Sequence, residues 1–137
     1  MAREFIRANF ESPYILAGDT HKEIEELCSK YKDHLSVGFD YLISFINPYI
    51  IPKELLEHCK VAINFHTAPP KYPGTGGYSM AIYNKDRVYG VTAHYIDEKV
   101  DHGEIFHTLY FPIFGSETIN QLLHQSHFIV YLCFIKL

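Results

Sequence analysis

Asn64 and His66 stand two residues apart at the end of an apolar run, and Asp101 follows further on with Gly103 close behind it. An amide donor, an imidazole and a carboxylate are the groups that acyl transfer calls on. An asparagine amide can donate a hydrogen bond to the oxyanion that develops on a carbonyl under attack. Imidazole passes protons near neutral pH, and imidazolium stabilises negative charge. A carboxylate orients the imidazole or relays a proton. Side chains alternate along a strand, so Asn64 and His66 share one face. No Ser or Cys lies in a nucleophile elbow. Direct transfer without a covalent enzyme intermediate is the expected route.

Each of these residues has a plainer explanation when taken alone. An Asn at a strand end usually closes a turn on its own backbone. A His beside Phe65 is more often packed than reactive, and Asp97, Glu98 and Asp101 fit a solvated acidic turn. The pairing of His66 with Asn64 on one strand face favours chemistry for the histidine. A metal centre drawn from His66, His94, Asp101 and His102 would lack both a His-Glu-x-x-His helix and a Cys–His cluster, so no metal is expected. The run Gly74-Thr75-Gly76-Gly77 lacks the Lys-Ser/Thr ending of a phosphate loop.

The elements around these residues alternate. Residues 1–12 suit a short helix or a frayed end. The apolar run Tyr14–Ala17, closed by Gly18-Asp19, suits a strand. Asp19 or Thr20 can cap a helix, with Glu23 placed to complete a capping box, and Ile24, Leu27, Cys28 and Tyr31 follow at helical spacing. Phe39–Phe45 suits a strand buried on both faces, and Pro52 opens a short helix. Val61–Ile63 is the next strand, and 67–77 is a Pro/Gly-rich loop. Tyr78–Tyr83 suits a helix with Asn84-Lys85-Asp86 as its turn, then Val88–Ile96 and Ile105–Tyr110 suit strands. A last helix is expected from Ile119 to about His124, and the apolar tail Phe128–Ile135 suits a buried strand or helix end. Strands alternating with helices imply an α/β fold with a largely parallel sheet. Sites in such sheets lie at the carboxyl ends of strands.

Composition narrows the class. The 137 residues are 47% hydrophobic and 20% charged, with a formal net charge of −4. That is one small domain with one core. The charge gives no electrostatic case for a nucleic-acid partner. Cys28, Cys59 and Cys133 are widely spaced, so neither a disulfide framework nor a zinc knuckle is indicated, and a reducing, cytoplasmic compartment is expected. The tail is too short to span a bilayer, so no membrane partner is expected.

Four stretches carry a further signal: Asn64-Phe65-His66, Tyr72-Pro73-Gly74, Gly90 through Asp97, and Val100 through Ile105. In this order and spacing they resemble the catalytic core of the folate-dependent formyltransferases. The resemblance runs from about Phe39 to about Leu122. That family includes glycinamide-ribonucleotide, methionyl-tRNA and sugar-amine formyltransferases and the formyltetrahydrofolate hydrolases. The resemblance implies a Rossmann-like sheet, here partial, since the family opens with a longer half before the strand matching Leu42–Phe45. It implies that 1–137 is a single formyltransferase catalytic domain, incomplete on its N-terminal side.

The implied chemistry is transfer of a formyl group from 10-formyltetrahydrofolate to a small-molecule amine. Asn64 and His66 would stabilise the oxyanion, while His66 and Asp101 would handle protons. The Asp-x-Gly-x-Ile match supports Asp101, not Asp97, in that role, and His94 would support the site from behind. Ala68, Pro69 and Pro70 fall in the loop after the catalytic His, and Ile96, Asp97 and Val100 in the opposite wall of the folate pocket. The form Thr67-Ala68-Pro69-Pro70 before Tyr72 is most like the sugar-amine enzymes, which implies an amino-sugar nucleotide as acceptor. Water in place of the amine would make a hydrolase, and an abbreviated sheet could instead leave a non-catalytic domain. Missing strands and the apolar tail would favour association into a homo-oligomer.

Overall fold

A computed structural model describes residues 2–9, 15, 17, 20–35 and 37–137. The strand expected at 14–17 and the alternative cap Asp19 lie largely or wholly outside the described residues. The chain forms two compact units, one of Met1–Asp40 with Asn47–Lys60, the other of Tyr41–Ile46 with Val61–Leu137.

The first unit holds α1 (Ala2–Asn9), α2 (His21–Lys30), α3 (Lys32–Leu35) and α4 (Lys53–Leu56). Thr20 caps α2. Its Oγ1 accepts from the Glu23 amide at 3.2 Å while Glu23 Oε2 accepts from the Thr20 amide at 3.1 Å, the expected reciprocal pair. Ile24 is the buried residue of α2. Pro52 starts α4, its carbonyl accepting from the Leu55 and Leu56 amides.

The second unit is built on a four-stranded sheet in the order β1-β2-β3-β4, with β1 at Phe39–Phe45, β2 at Cys59–His66, β3 at Val88–Tyr95 and β4 at Ile105–Pro112. α5 (Gly77–Tyr83) lies between β2 and β3 in the chain, and α6 (Ile119–Lys136) follows β4. Helices flank strands as expected of an α/β protein. The largely parallel arrangement is corrected over β2–β4. β2 pairs with β3 antiparallel, and β3 pairs with β4 antiparallel. Between β3 and β4 the cause is connection length. Residues 96–104 carry no helix, and a parallel return needs a crossover of about a dozen residues or more. β1 also departs from two-sided burial. Ser44 alone is buried in it and Tyr41 is 60% exposed, as suits the end strand of a sheet.

The core of this unit lies between one face of β3 and helices α5 and α6. Tyr89, Val91 and Ala93 on β3 meet Leu122, Ser126, Val130 and Cys133 on α6, all fully buried. Phe65 meets Phe134 edge-on at 5.1 Å. The buried positions of α6 recur every three or four residues, the period of a helix face. That period explains why α6 runs on to Lys136 and takes the apolar tail with it, well past the expected end near His124. Thr118 and Gln121 form a second capping box at its start. No helix among the described residues is long and apolar enough to cross a membrane.

Candidate active site

Antiparallel pairing of β2 with β3 sets Asn64 opposite His94 and His66 opposite Thr92. Directly paired residues point to the same face. Four polar side chains therefore cluster at the end of β2, opposite the face that packs on α5 and α6. Loop 96–104 brings a fifth, Asp101. The loop is pinned at its base, where the Tyr95 amide donates to the Glu104 carbonyl at 2.9 Å and the Ile96 amide to the Ala62 carbonyl at 2.9 Å. Gly103 fits against that base so closely that a Cβ there would sit 1.7 Å from the Tyr95 carbonyl oxygen. Asp101 itself takes a left-handed backbone, φ 53°.

Asp101 is the hub. Its Oδ2 accepts from the Gly74 amide at 2.8 Å and lies 3.5 Å from His66 Nδ1. Its Oδ1 accepts from Asn64 Nδ2 at 3.1 Å and lies 3.3 Å from His94 Nε2. Burial pushes the carboxyl up. The hydrogen bond with His94, the charge of His66 and the Gly74 amide outweigh that and hold it down at about 2. Asn64 Nδ2 also stands 3.2 Å from His94 Nε2. Only the amide nitrogen suits this side, because the amide oxygen would face a carboxylate oxygen. Thus both amide hydrogens of Asn64 have near neighbours, one in Asp101 and one in His94.

His94 Nδ1 donates to the Tyr95 carbonyl at 2.8 Å, which leaves Nε2 for the carboxylate. Burial pulls its pKa down, yet the hydrogen bonds to Asp101 and to the Tyr95 carbonyl, with the Asp101 and Asp97 charges, raise it overall above 6.5. A raised folded-state value means that this pair adds stability fully below the unfolded pKa and loses it as pH rises through the folded one. The melting temperature of the parent should therefore exceed that of His94→Gln by most near pH 6. The gap should narrow as pH rises past the raised value; a gap constant from pH 6 to 9 would contradict the pairing.

The sequence-derived residues divide clearly. Asn64, His66, His94 and Asp101 converge. His66, His94 and Asp101, with Pro69 and Pro70, border a cavity of about 150 Å³. Asn64 does not border it but bonds Asp101, which does. Ala68 is buried, and its carbonyl accepts from Thr92 Oγ1 at 2.7 Å, which ties the loop to β3. Ile96, Asp97 and Val100 do not border this cavity. Asp97 is exposed and its carboxylate accepts from the Lys99 amide at 2.8 Å. Sequence reasoning missed the parts played by Thr92, the Gly74 amide and the Tyr72 carbonyl, which stands 3.3 Å from His66 Nε2. Two of these are backbone groups, invisible to residue type. Thr92 was open to discovery as the residue two before His94 on the same strand face.

Comparison with known proteins bears directly on this cluster. The formyl transferase family matches residues 14–135 of the chain. This protein belongs to the formyl transferase family. The family chain is 28% identical over 119 residues to the phosphoribosylglycinamide formyltransferase of Haemophilus influenzae, an alignment covering 86% of this chain and 52% of that protein. It thus spans about half the length of that relative. It shares its fold with the phosphoribosylglycinamide formyltransferase of Streptococcus pneumoniae, at a TM-score of 0.64 and 23% identity over 83% of this chain and 63% of that one. It is 30% identical, at a TM-score of 0.54, to an N-formyltransferase from Helicobacter canadensis in complex with folinic acid and dTDP-3-aminofucose, covering 59% of this chain and 31% of that one. Methionyl-tRNA formyltransferases are also among the relatives matched. A formyl transferase chain with the fold of its relatives therefore carries the Asn64–His66–Asp101 cluster.

Proposed function

We propose that this chain transfers a formyl group from 10-formyltetrahydrofolate to an amine. One observation carries the reading: a single carboxylate, Asp101, lies with His66 and His94 at the rim of a proline-walled cavity and bonds Asn64 beside it. About 150 Å³ is well below the ~300–1,000 Å³ of pockets that enclose drug-sized ligands. It fits the formyl-bearing end of the donor, with Pro69 and Pro70 as its apolar wall and the rest of the folate lying outside. The donor supplies an activated formyl group. The amine nitrogen bonds to the formyl carbon and the bond from that carbon to the folate nitrogen breaks.

His66 stabilises negative charge on the formyl oxygen. Asp101 takes the amine proton, through His66 or water, and one proton returns to the departing folate nitrogen. Asn64 joins through His94. When His94 is protonated its Nε2–H donates to Asp101, and the second hydrogen of the Asn64 amide loses its acceptor. That hydrogen is then free for the oxyanion.

An amino-sugar nucleotide is the acceptor we favour. The Thr67–Pro70 loop supports it, as does the aminofucose nucleotide held by the Helicobacter relative. The test is a panel of amines, an amino-sugar nucleotide, glycinamide ribonucleotide and methionyl-tRNA among them, read by tetrahydrofolate release. Asn64→Ala should lower turnover by ~10²–10³ on the best acceptor, the usual cost of one oxyanion donor. Turnover within a factor of two of the parent would remove Asn64 from the chemistry. A second reading, folate binding without transfer, is favoured by the engagement of both Asn64 hydrogens. Saturable binding of a non-reactive formylfolate analogue with no product from any amine or from water would select it.

A further inference from the structure

We propose that Asp86 is a positioning residue for His66 and acts through Tyr72. The proposal rests on the reading of His66 as catalytic. It starts from an unusual concentration of bonds on one side chain in the loop after β2. The Tyr72 hydroxyl donates to Asp86 Oδ2 at 2.6 Å and accepts from Asn84 Nδ2 at 2.9 Å. Lys71 Nζ grips both oxygens of the same carboxylate at 2.8 and 2.9 Å and lies 4.9 Å over the Tyr72 ring. Asn84 and Asp86 belong to the turn that ends α5, where the Asp86 amide donates to the Ala81 carbonyl at 3.0 Å. The loop is thereby fastened to the far end of the helix that follows it.

The backbone of Tyr72 faces the site. Its amide donates to the Pro69 carbonyl at 2.9 Å, closing a turn, and its carbonyl points at His66 Nε2, 3.3 Å away. The imidazole lies between two acceptors, that carbonyl and Asp101 Oδ2 at 3.5 Å. A hydrogen on Nε2 bonds the carbonyl and fixes the ring plane, which aims Nδ1 at the carboxylate. If the carbonyl moves, the ring is free to turn about its last torsion, and the alignment with Asp101 is lost. Tyr72 is buried and its ring stacks near Tyr89, centroids 6.4 Å apart. The ring therefore transmits a restraint applied at its hydroxyl to its own main chain.

Stability alone does not explain this cluster. Lys71 is 57% exposed, and exposed ion pairs contribute little to folding. A short charge-assisted bond from a buried phenol to a largely covered carboxylate is suited to fixing geometry. The folding effect of removing Asp86 should therefore be small, and the effect on His66 large.

The experiment compares Asp86→Ala and Tyr72→Phe with the parent and with Val130→Ala. The last variant loosens the core on α6 without touching the loop. The direct readout is the ring N–H signal of His66 in nitrogen-edited NMR. In the parent, a protected Nε2 proton is expected. Both loop variants should raise its exchange with solvent roughly tenfold or more, and Val130→Ala should leave it unchanged. With a turned-over acceptor, kcat should fall about tenfold to a hundredfold while KM for the folate stays within a factor of two. An unchanged His66 signal in Asp86→Ala and Tyr72→Phe overturns the proposal whether or not the protein turns over. A changed signal in a protein that transfers no formyl group supports the positioning and overturns the catalytic reading instead. An equal change in Val130→Ala also overturns it, because the effect would then be general loosening.

Discussion

Asp101→Asn should cut transfer by ~10²–10⁴-fold and leave a folded chain. The substitution keeps size, and Asn tolerates the left-handed backbone that Asp101 adopts, φ 53°. What it cannot keep is four-way acceptance. One oxygen faces the Gly74 amide and His66; the other faces Asn64 and His94. An asparagine amide must turn its NH2 to one side or the other, and donors then confront a donor on that side. The proton acceptor is also gone. Loss of a positioned acid or base typically costs 10²–10⁴-fold, and turnover should fall into that range. Affinity for a formylfolate analogue should change little. Asp97→Asn should also do little, since that exposed carboxylate accepts from a loop amide, the Lys99 N–H at 2.8 Å, and does not border the cavity. Equal turnover of Asp101→Asn and parent would sink the assigned role.

A pH signature accompanies the same residue. The folded carboxyl is held at about 2, below its ordinary 3.8. A depressed folded value stabilises above the unfolded pKa and stops doing so as pH falls through the folded one. The parent should therefore lose about 2 kcal/mol of stability between roughly pH 4 and pH 2 from this group. Asp101→Asn should lack that part of the acid limb in a melting series.

Gly103→Ala should be the most damaging single methyl group in the loop. A Cβ at this position would lie 1.7 Å from the Tyr95 carbonyl oxygen and 2.7 Å from its carbon. Both atoms are backbone, at the end of β3, and neither can rotate away. Loop 96–104 must lift from the strand, breaking the bond between the Tyr95 amide and the Glu104 carbonyl. Asp101 lifts with it. Displacement of a catalytic group by about 1 Å can cost ~10²-fold, so turnover should drop by that order and the melting temperature should fall with it. The Gly74 amide should lose its protection from hydrogen exchange, since Asp101 is its acceptor. Parent-like exchange at Gly74 would show that the loop absorbs the methyl group without moving the carboxylate.

Much of this arrangement was legible in the residues, for reasons specific to each. Thr20 with Glu23 is a local pattern, complete within one turn, and it forms as written. Asn64 and His66 share a face because period two is a property of any strand. Their union with Asp101 was legible only through the resemblance of the motifs to a family, since no local rule joins residues that far apart. Strand direction was not legible. Alternation of elements suggested crossovers, but the stretch between β3 and β4 is too short to make one. The extent of α6 was misjudged because an apolar run such as Phe128–Ile135 suits a helix or a strand until its buried neighbours choose the period. The Asp86–Tyr72 clasp stayed hidden because a Lys, a Tyr and an Asp in a turn look like ordinary surface.

The left-handed backbone of Asp101 also shapes how this site can drift. Two demands meet at one codon. The four donors ask for a negative charge, which Glu alone could also provide. The φ of 53° asks for a short side chain at ease in that region, which Asn provides and Glu does not. The neighbour that saves the charge strains the chain, and the neighbour that saves the chain discards the charge. A lineage that leaves Asp here is therefore steered toward a well-folded protein that has lost the proton acceptor, since that exit is the smoother of the two.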